Sequence, residues 1–377
     1  MRQRFSILLV ACLVLVASCS QAARAEAGFD GGDLHSLAVQ NDGTVWAWGL
    51  NFGIKPGTGP NNQPTPTQVA GLTNVTAVSG GRAFAVAVKN DGTVWAWGHN
   101  YFGQLGDGTT ENRTAPVQVK DLTGIKSVSC GGSFVLALKN DGTVWAWGNN
   151  AYGQLGDGTT IDRNTPVQTR NVTGATQIAA GWYHSLALGS NGAVWSWGKN
   201  VDGQLGDGSF NDKSTPGSIA LQSVTQIAAG WGHSLGLRND GTVWAWGGNG
   251  TGACGDSTLT ARNAPKQIES LSGISSIAAG HWHSLGAGKD GRVWAWGSNG
   301  SNQLGDGTAQ DRSTPSTVLN LDDVANIAAG NWHSLALKNN GTLWAWGNNT
   351  TGQLGDGTTT TRATPIATIG IRDILTQ

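Results

Sequence analysis

Charge is scarce in this sequence. Only 12% of its 377 residues are Asp, Glu, Lys or Arg, against roughly 25% in ordinary globular chains, and 23 basic side chains nearly cancel 24 acidic ones. No run of Lys and Arg exists to follow a phosphate backbone by counterion release, so nucleic acid is not an expected partner. Cysteine is sparse as well. Of four, Cys12 and Cys19 fall in the amino-terminal leader, leaving Cys130 and Cys254. These two stand at different points of different repeats, in place of Ala and Leu, so a disulfide framework is not expected and both read as buried thiols. Beyond the leader no apolar run approaches membrane length, and no helical period appears.

The leader itself has the form of an address. Arg2 and Arg4 precede an apolar run from Phe5 to Ala17, too short to span a bilayer core of about 30 Å but suited to a secretory signal. Residues 1–18 read as a signal peptide. The stretch Val16, Ala17, Ser18, Cys19 looks like a bacterial lipobox, which would leave a lipidated Cys19 at the start of a short tether, residues 19–27. Plain secretion is the alternative, because Ala23-Arg24-Ala25 offers the small-x-small pattern of a soluble-protein cleavage site. Both place the chain outside the cytoplasm, with membrane contact only through an anchor.

What is abundant is glycine, 58 residues, with 10 prolines beside it. Such a composition implies many turns. Seven copies of Trp-x-Trp-Gly begin at Trp46, Trp95, Trp145, Trp195, Trp244, Trp294 and Trp344, at intervals of 49 or 50. Seven prolines from Pro66 to Pro365 keep the same beat. A strict internal period of this length marks a repeat architecture. Residues 28–377 hold seven such units with nothing left for a second domain.

Within the last unit, His333, Leu335 and Leu337 alternate with Ser334 and Ala336, which is the period of a strand. Asn339-Asn340-Gly341 supplies a hairpin turn with positive φ values, and Leu343-Trp-Ala-Trp-Gly347 returns. One wall of this strand is small (Leu343, Ala345, Gly347) and the other bulky (Trp344, Trp346). A single small sheet cannot bury both faces, whereas seven closed in a ring can. The spacing therefore predicts an all-β, seven-bladed β-propeller. Ile371-Arg-Asp-Ile374 corresponds to Leu321-Asp-Asp-Val324, while Phe29 begins in the middle of that same motif. The carboxyl-terminal segment is thus expected to meet the amino-terminal strand and latch the first blade to the seventh.

Ala-Gly-x-x-His-Ser-Leu-Ala-Leu, Asp-Gly-x-Val-x-x-Trp-Gly-x-Asn and Gly-Gln-Leu-Gly-Asp-Gly recur in order. Together they resemble the regulator of chromosome condensation repeat, over residues 28–377, and the leader would make this an exported bacterial member. The resemblance implies a seven-bladed propeller. It does not fix a function, since members include a nuclear exchange factor for a small GTPase, a plant UV-B photoreceptor and secreted bacterial β-lactamase inhibitors. The even intervals leave no room for the exchange factor's wedge. Gly181-Trp-Tyr-His-Ser185 and Gly230-Trp-Gly-His-Ser234 look like the photoreceptor's Gly-Trp-x-His motif without its Arg and without the arginines that would surround the Trp cluster.

Several positions invite a chemical role. His35, His184, His233, His283 and His333 share one repeat position and suggest a metal ring, but Phe84 and Phe134 occupy the same place and cannot ligate metal. These histidines read as structural. Asp107, Asp157, Asp207, Asp256, Asp306 and Asp356 recur in Gly-rich loops, yet one carboxylate per loop is a turn residue rather than a calcium site. No catalytic constellation, metal site or cofactor motif stands out from the repeat, so the chain reads as non-enzymatic.

Partner information lies where the repeats disagree. The four Trp outside the Trp-x-Trp motif, Trp182, Trp231, Trp282 and Trp332, all directly precede or nearly precede the His position, beside Tyr183 and His281. In a ring they gather on one sector of one face. A second variable set, Phe52, Tyr101, Phe102, Tyr152, Lys199 and Asp202, follows the Trp-x-Trp motif and favours the first four repeats. Clustered aromatics are binding surfaces in the making. The expected partner is a protein or peptide held by Trp182, Tyr183, Trp231, His281, Trp282 and Trp332. The alternatives are a glycan stacked on the same rings, or the family's exchange or inhibitor activity.

Overall fold

The computed structural model describes residues 28–50 and 62–375. The expected signal peptide, the expected tether with Cys19, and Phe52 lie outside the described residues. The described strands form seven four-stranded antiparallel sheets, joined through their inner strands into a ring that closes from the seventh to the first. In the seventh blade the strands are Val324–Ala329, His333–Lys338, Leu343–Gly347 and Arg362–Ala367, from axis to rim. The first three follow the sequence pattern. The hairpin turn differs in one respect: of Asn339, Asn340 and Gly341 only the glycine takes a positive φ, +79°. Asn340 instead accepts hydrogen bonds from Thr342 through Oδ1, an Asx turn that holds the loop without strain.

Small and bulky walls meet between blades. Val293 and Ala295 of the sixth blade pack in one buried cluster with Trp346 of the seventh, which is fully buried. The Leu343–Ala345 wall of the seventh blade receives Trp48 of the first. Burying a Trp requires a partner for its N–H, and the loop of the preceding blade provides one. Trp346 Nε1 donates to the Gln303 carbonyl over 2.8 Å and Trp48 Nε1 to that of Gln353 over 2.8 Å.

The same carbonyl serves a second donor. Ser334 Oγ donates to Gln303 O and Ser36 Oγ to Gln353 O. Each of these hydroxyls also lies 2.8–3.0 Å from Nε2 of the preceding blade's histidine, in the pairs His283–Ser334 and His333–Ser36, with His184–Ser234 and His233–Ser284 alike. Because the hydroxyl proton goes to the carbonyl, the imidazole must be the donor at Nε2. Nδ1 is left bare and buried without a partner. Burial pushes these rings down to about 3. Glycine precedes each: a Cβ on Gly230 would stand 2.4 Å from His233 Cε1.

The first three blades break this pairing. His35 lies where its partner position in the second blade is Ala85, and neither of its ring nitrogens has a partner. A cavity of about 10 Å³ lined by His35, Phe84 and Ala85 marks the missing hydroxyl. Phe84 faces Val135, in the same apolar cluster, whereas Phe134 faces Ser185, whose hydroxyl keeps only its bond to the Gln154 carbonyl.

Closure uses both chain ends, as the repeat pattern implied. Ile374 bridges Gln40, Leu375 N donates to Val39 O over 2.9 Å, and Gly28 N donates to Leu375 O over 3.2 Å. The inner strand of the first blade is therefore completed by the carboxyl terminus, with Ile371 and Ile374 packed on Phe29.

Three outcomes follow from this architecture. Ala85→Ser supplies His35 with an acceptor and is expected to raise stability by about 0.5–1.5 kcal/mol in denaturant titration; a loss would show that the cavity cannot take the hydroxyl. Ile374→Ala is expected to cost about 2–5 kcal/mol by the same measurement, and a neutral result would remove the latch. The histidines set an acid limit. The unfolded chain binds protons as pH falls through roughly 6.5, while the folded rings resist until about 3 to 4, so the stability that their neutral form confers is full above about 6.5, declines on acidification from there, and is lost by the folded values. The double variant His233→Phe, Ser284→Val should have a flatter stability curve between those pH values than the parent; an unchanged slope would contradict this.

Candidate functional site

The turns between the inner and second strands are linked in the same way around the ring. Its N–H donates to the corresponding turn of the next blade: Asp33 to Gly81, Arg82 to Gly132, Gly132 to Trp182, Trp182 to Gly230, Trp231 to His281, His281 to Asn331 and Asn331 to Gly32, all at 3.1–3.3 Å. This closed circle of main-chain bonds surrounds one mouth of the axial channel. With the backbone fixed by the ring, side chains at these positions are released from the fold's requirements.

Those side chains form a continuous aromatic rim over the fourth to seventh blades. Trp231 meets Trp282 with ring centroids 4.6 Å apart and His281 at 5.2 Å. His281 lies 4.6 Å from Trp332, tilted by 31°, and edge-on to Trp182 at 5.8 Å. Trp182 continues to Tyr183 at 6.3 Å. All six are half-buried. Space for Trp282 comes from two glycines, since a Cβ on Gly248 would sit 2.8 Å from its ring and one on Gly232 3.1 Å. His281 is held neutral at physiological pH, because burial pushes it down to about 4.

The two variable sets, which sequence separates by sector, meet in space. The loop after the third strand leaves on the same face as the turn before the second, so Tyr152 meets Tyr183 at 5.1 Å, tilted by 58°, and Lys199 reaches both of them and Trp231. Tyr101 and Phe102 stand apart as exposed residues, Tyr101 contacting His99. Two charged side chains of the rim escape an aromatic criterion. Arg82 lies 5.9 Å above the Trp182 ring, and Asp33 accepts a 2.8 Å hydrogen bond from Asn331 Nδ2. The signal for both was the same variable position, occupied by charge instead of a ring.

Below the rim the axial channel holds about 200 Å³ of water-accessible space, lined by the inner strands. Gln177 and Gln226 bridge those strands by accepting from Ile227 N and Ile277 N through Oε1, at 2.9 and 3.0 Å. Across the channel, Asp30 accepts from Ser79 Oγ and Gly80 N, at 2.9 and 3.0 Å. Burial nonetheless pushes its carboxyl up to about 6.

The repeated loop carboxylates are engaged locally. Asp256 Oδ1 accepts from Thr258 Oγ1 and Asn249 Nδ2, at 2.7 and 3.1 Å, and its Oδ2 pairs with Arg262 at 2.6 Å. Asp107, Asp157, Asp306 and Asp356 pair with Arg113, Arg163, Arg312 and Arg362 in the same way, and Asp207 with Lys213. Their oxygens are thereby committed to the turn. Among the described residues no three His, Cys, Asp or Glu side chains converge as a metal site would require. Cys254 is buried, its thiol pushed up to about 12.

None of the curated proteins matches the sequence. Among solved structures, human WBSCR16 is 26% identical with a TM-score of 0.77, over 86% of this chain and 93% of that one. Prp20p of Saccharomyces cerevisiae, described with its binding to Gsp1p and histones, is 25% identical with a TM-score of 0.73, over 82% and 81%. The yeast protein bound to Kap60 matches at 24% identity and a TM-score of 0.76, over 96% and 91%, which speaks to fold. The RCC1-like domain matches residues 19–324 and again 167–374, and with seven blades built on the corresponding repeats this chain belongs to the RCC1-like family.

Proposed function

We propose that this propeller is a non-enzymatic scaffold that holds a protein or peptide partner on its aromatic face, outside the cytoplasm. The observation that carries the reading is the continuous half-buried rim of Trp182, Tyr183, Trp231, His281, Trp282 and Trp332. Large rigid rings contribute contact area with little entropy to lose, and Trp and Tyr dominate binding hot spots for that reason. Family relatives support a protein partner, since the yeast neighbour binds Gsp1p, histones and Kap60. Four of the five repeat imidazoles and the loop carboxylates are bonded within the fold, which favours binding over chemistry. Export rests on the sequence of the leader, with Cys19 as the proposed lipid attachment point.

The test is capture from cell-envelope extract by the mature protein, beside the double variant Trp231→Ala, Trp282→Ala. Removal of two central rings is expected to weaken a partner by at least about 30-fold while the circular-dichroism melt stays close to the parent's. Equal capture by both proteins would contradict the site. A glycan array that includes peptidoglycan fragments separates a sugar stacked on the same rings from a polypeptide.

A further inference from the structure

Where the third, fourth and fifth blades meet, one ammonium faces three rings. Lys199 Nζ lies 5.2 Å from the ring centroid of Tyr152, 5.4 Å from that of Tyr183 and 5.3 Å from that of Trp231. Near-equal distances put the charge at the centre of an aromatic box, one wall from each blade. Elsewhere among the described residues a cation meets a single ring, as Lys89 meets Trp95 and Lys338 meets Trp344. Among the described residues Nζ of Lys199 makes no hydrogen bond and no ion pair. Asp202 stands nearby, half-buried; burial raises its carboxyl above the usual range and Lys199 offsets part of that rise. A carboxylate beside a box of π faces adds to its preference for a positive guest.

The fold does not require this arrangement. Positions equivalent to Lys199 carry Asn149, Ser298 and Asn348, and positions equivalent to Tyr152 carry Thr251, Ser301 and Thr351, in blades that close just as well. A primary ammonium is also an imperfect guest. It is compact and strongly hydrated, and its three N–H groups look for acceptors that the rings do not supply. A fully methylated ammonium has the same charge, no N–H to satisfy and a weaker hold on water, which is why aromatic cages select it.

We infer that Tyr152, Tyr183 and Trp231 form a binding site for a quaternary ammonium group, with Lys199 as the resident cation that the ligand displaces. The chemistry is the same whether that group arrives on a small solute such as choline or on a trimethylated lysine. The site stands on the cage alone and does not depend on the peptide-binding reading of the wider rim.

The test uses saturation-transfer NMR on the methyl protons of tetramethylammonium, titrated into the mature protein against sodium chloride of equal ionic strength. Saturable binding is expected for the parent, and binding about tenfold tighter for Lys199→Ala, which removes the competitor. Tyr152→Ala in the Lys199→Ala background should abolish it, whereas Tyr152→Phe, which keeps the ring, should restore it. Trp332→Ala, at a ring that meets none of the three cage walls directly, should leave it unchanged even where capture of a polypeptide is lost, which separates failure of this site from failure of the wider one. Choline and the amide of N-acetyl-trimethyl-lysine then distinguish the two sources. No saturable binding to the parent, equal binding of a primary ammonium, or indifference to Tyr152→Ala would overturn the inference.

Discussion

The Gln204 carbonyl accepts two hydrogen bonds from the next blade, one from Trp246 Nε1 and one from Ser234 Oγ, both at 2.9 Å. That single acceptor ties a loop of one blade to the second and third strands of its neighbour. It lets a Trp be buried completely with its N–H satisfied, and by using the serine proton it fixes the histidine of the preceding blade as donor and neutral. Burial, tautomer and the glycine under the imidazole all depend on it. Blades hold together by this bond repeated around the ring, in place of a layered core that a glycine-rich chain has too little side-chain mass to build.

The same economy separates fold from function. Seven main-chain bonds close the turns around the channel mouth whatever their side chains are, so Asp33, Arg82, Gly132, Trp182, Trp231, His281 and Asn331 occupy one repeat position with six different side chains. The aromatic sector is where this freedom gathers large rings on adjoining blades. Its rings are set by contact with one another and by absent Cβ atoms at Gly232 and Gly248, and the loop bearing Lys199 and Asp202 adds charge at its edge.

Much of this was legible in the sequence because repetition supplied its own alignment. Strand limits, the bulky and small walls around Trp344 and Trp346, and the latch at Ile374 follow from comparing units within one chain. Two features were not. The His–Ser pairing joins residues about fifty apart in adjoining blades, and a single unit shows His and Ser side by side as though they shared a role, so the solitary His35 opposite Ala85 gave no warning. The junction of Tyr152 and Lys199 with Tyr183 and Trp231 was hidden because the two loops belong to different parts of the repeat. Only the exit of both on one face brings them together.

Hydrogen exchange on the propeller of residues 28–377, free and with a captured polypeptide, tests the account at its centre. Protection is expected in the turns at 181–184, 230–233, 281–283 and 331–333 and in the loop at 199–202, with the Asn-Asp-Gly hairpins of the opposite face unchanged. Protection confined to the hairpins at 90–92, 140–142 and 239–241, or to the outer strands, would contradict it.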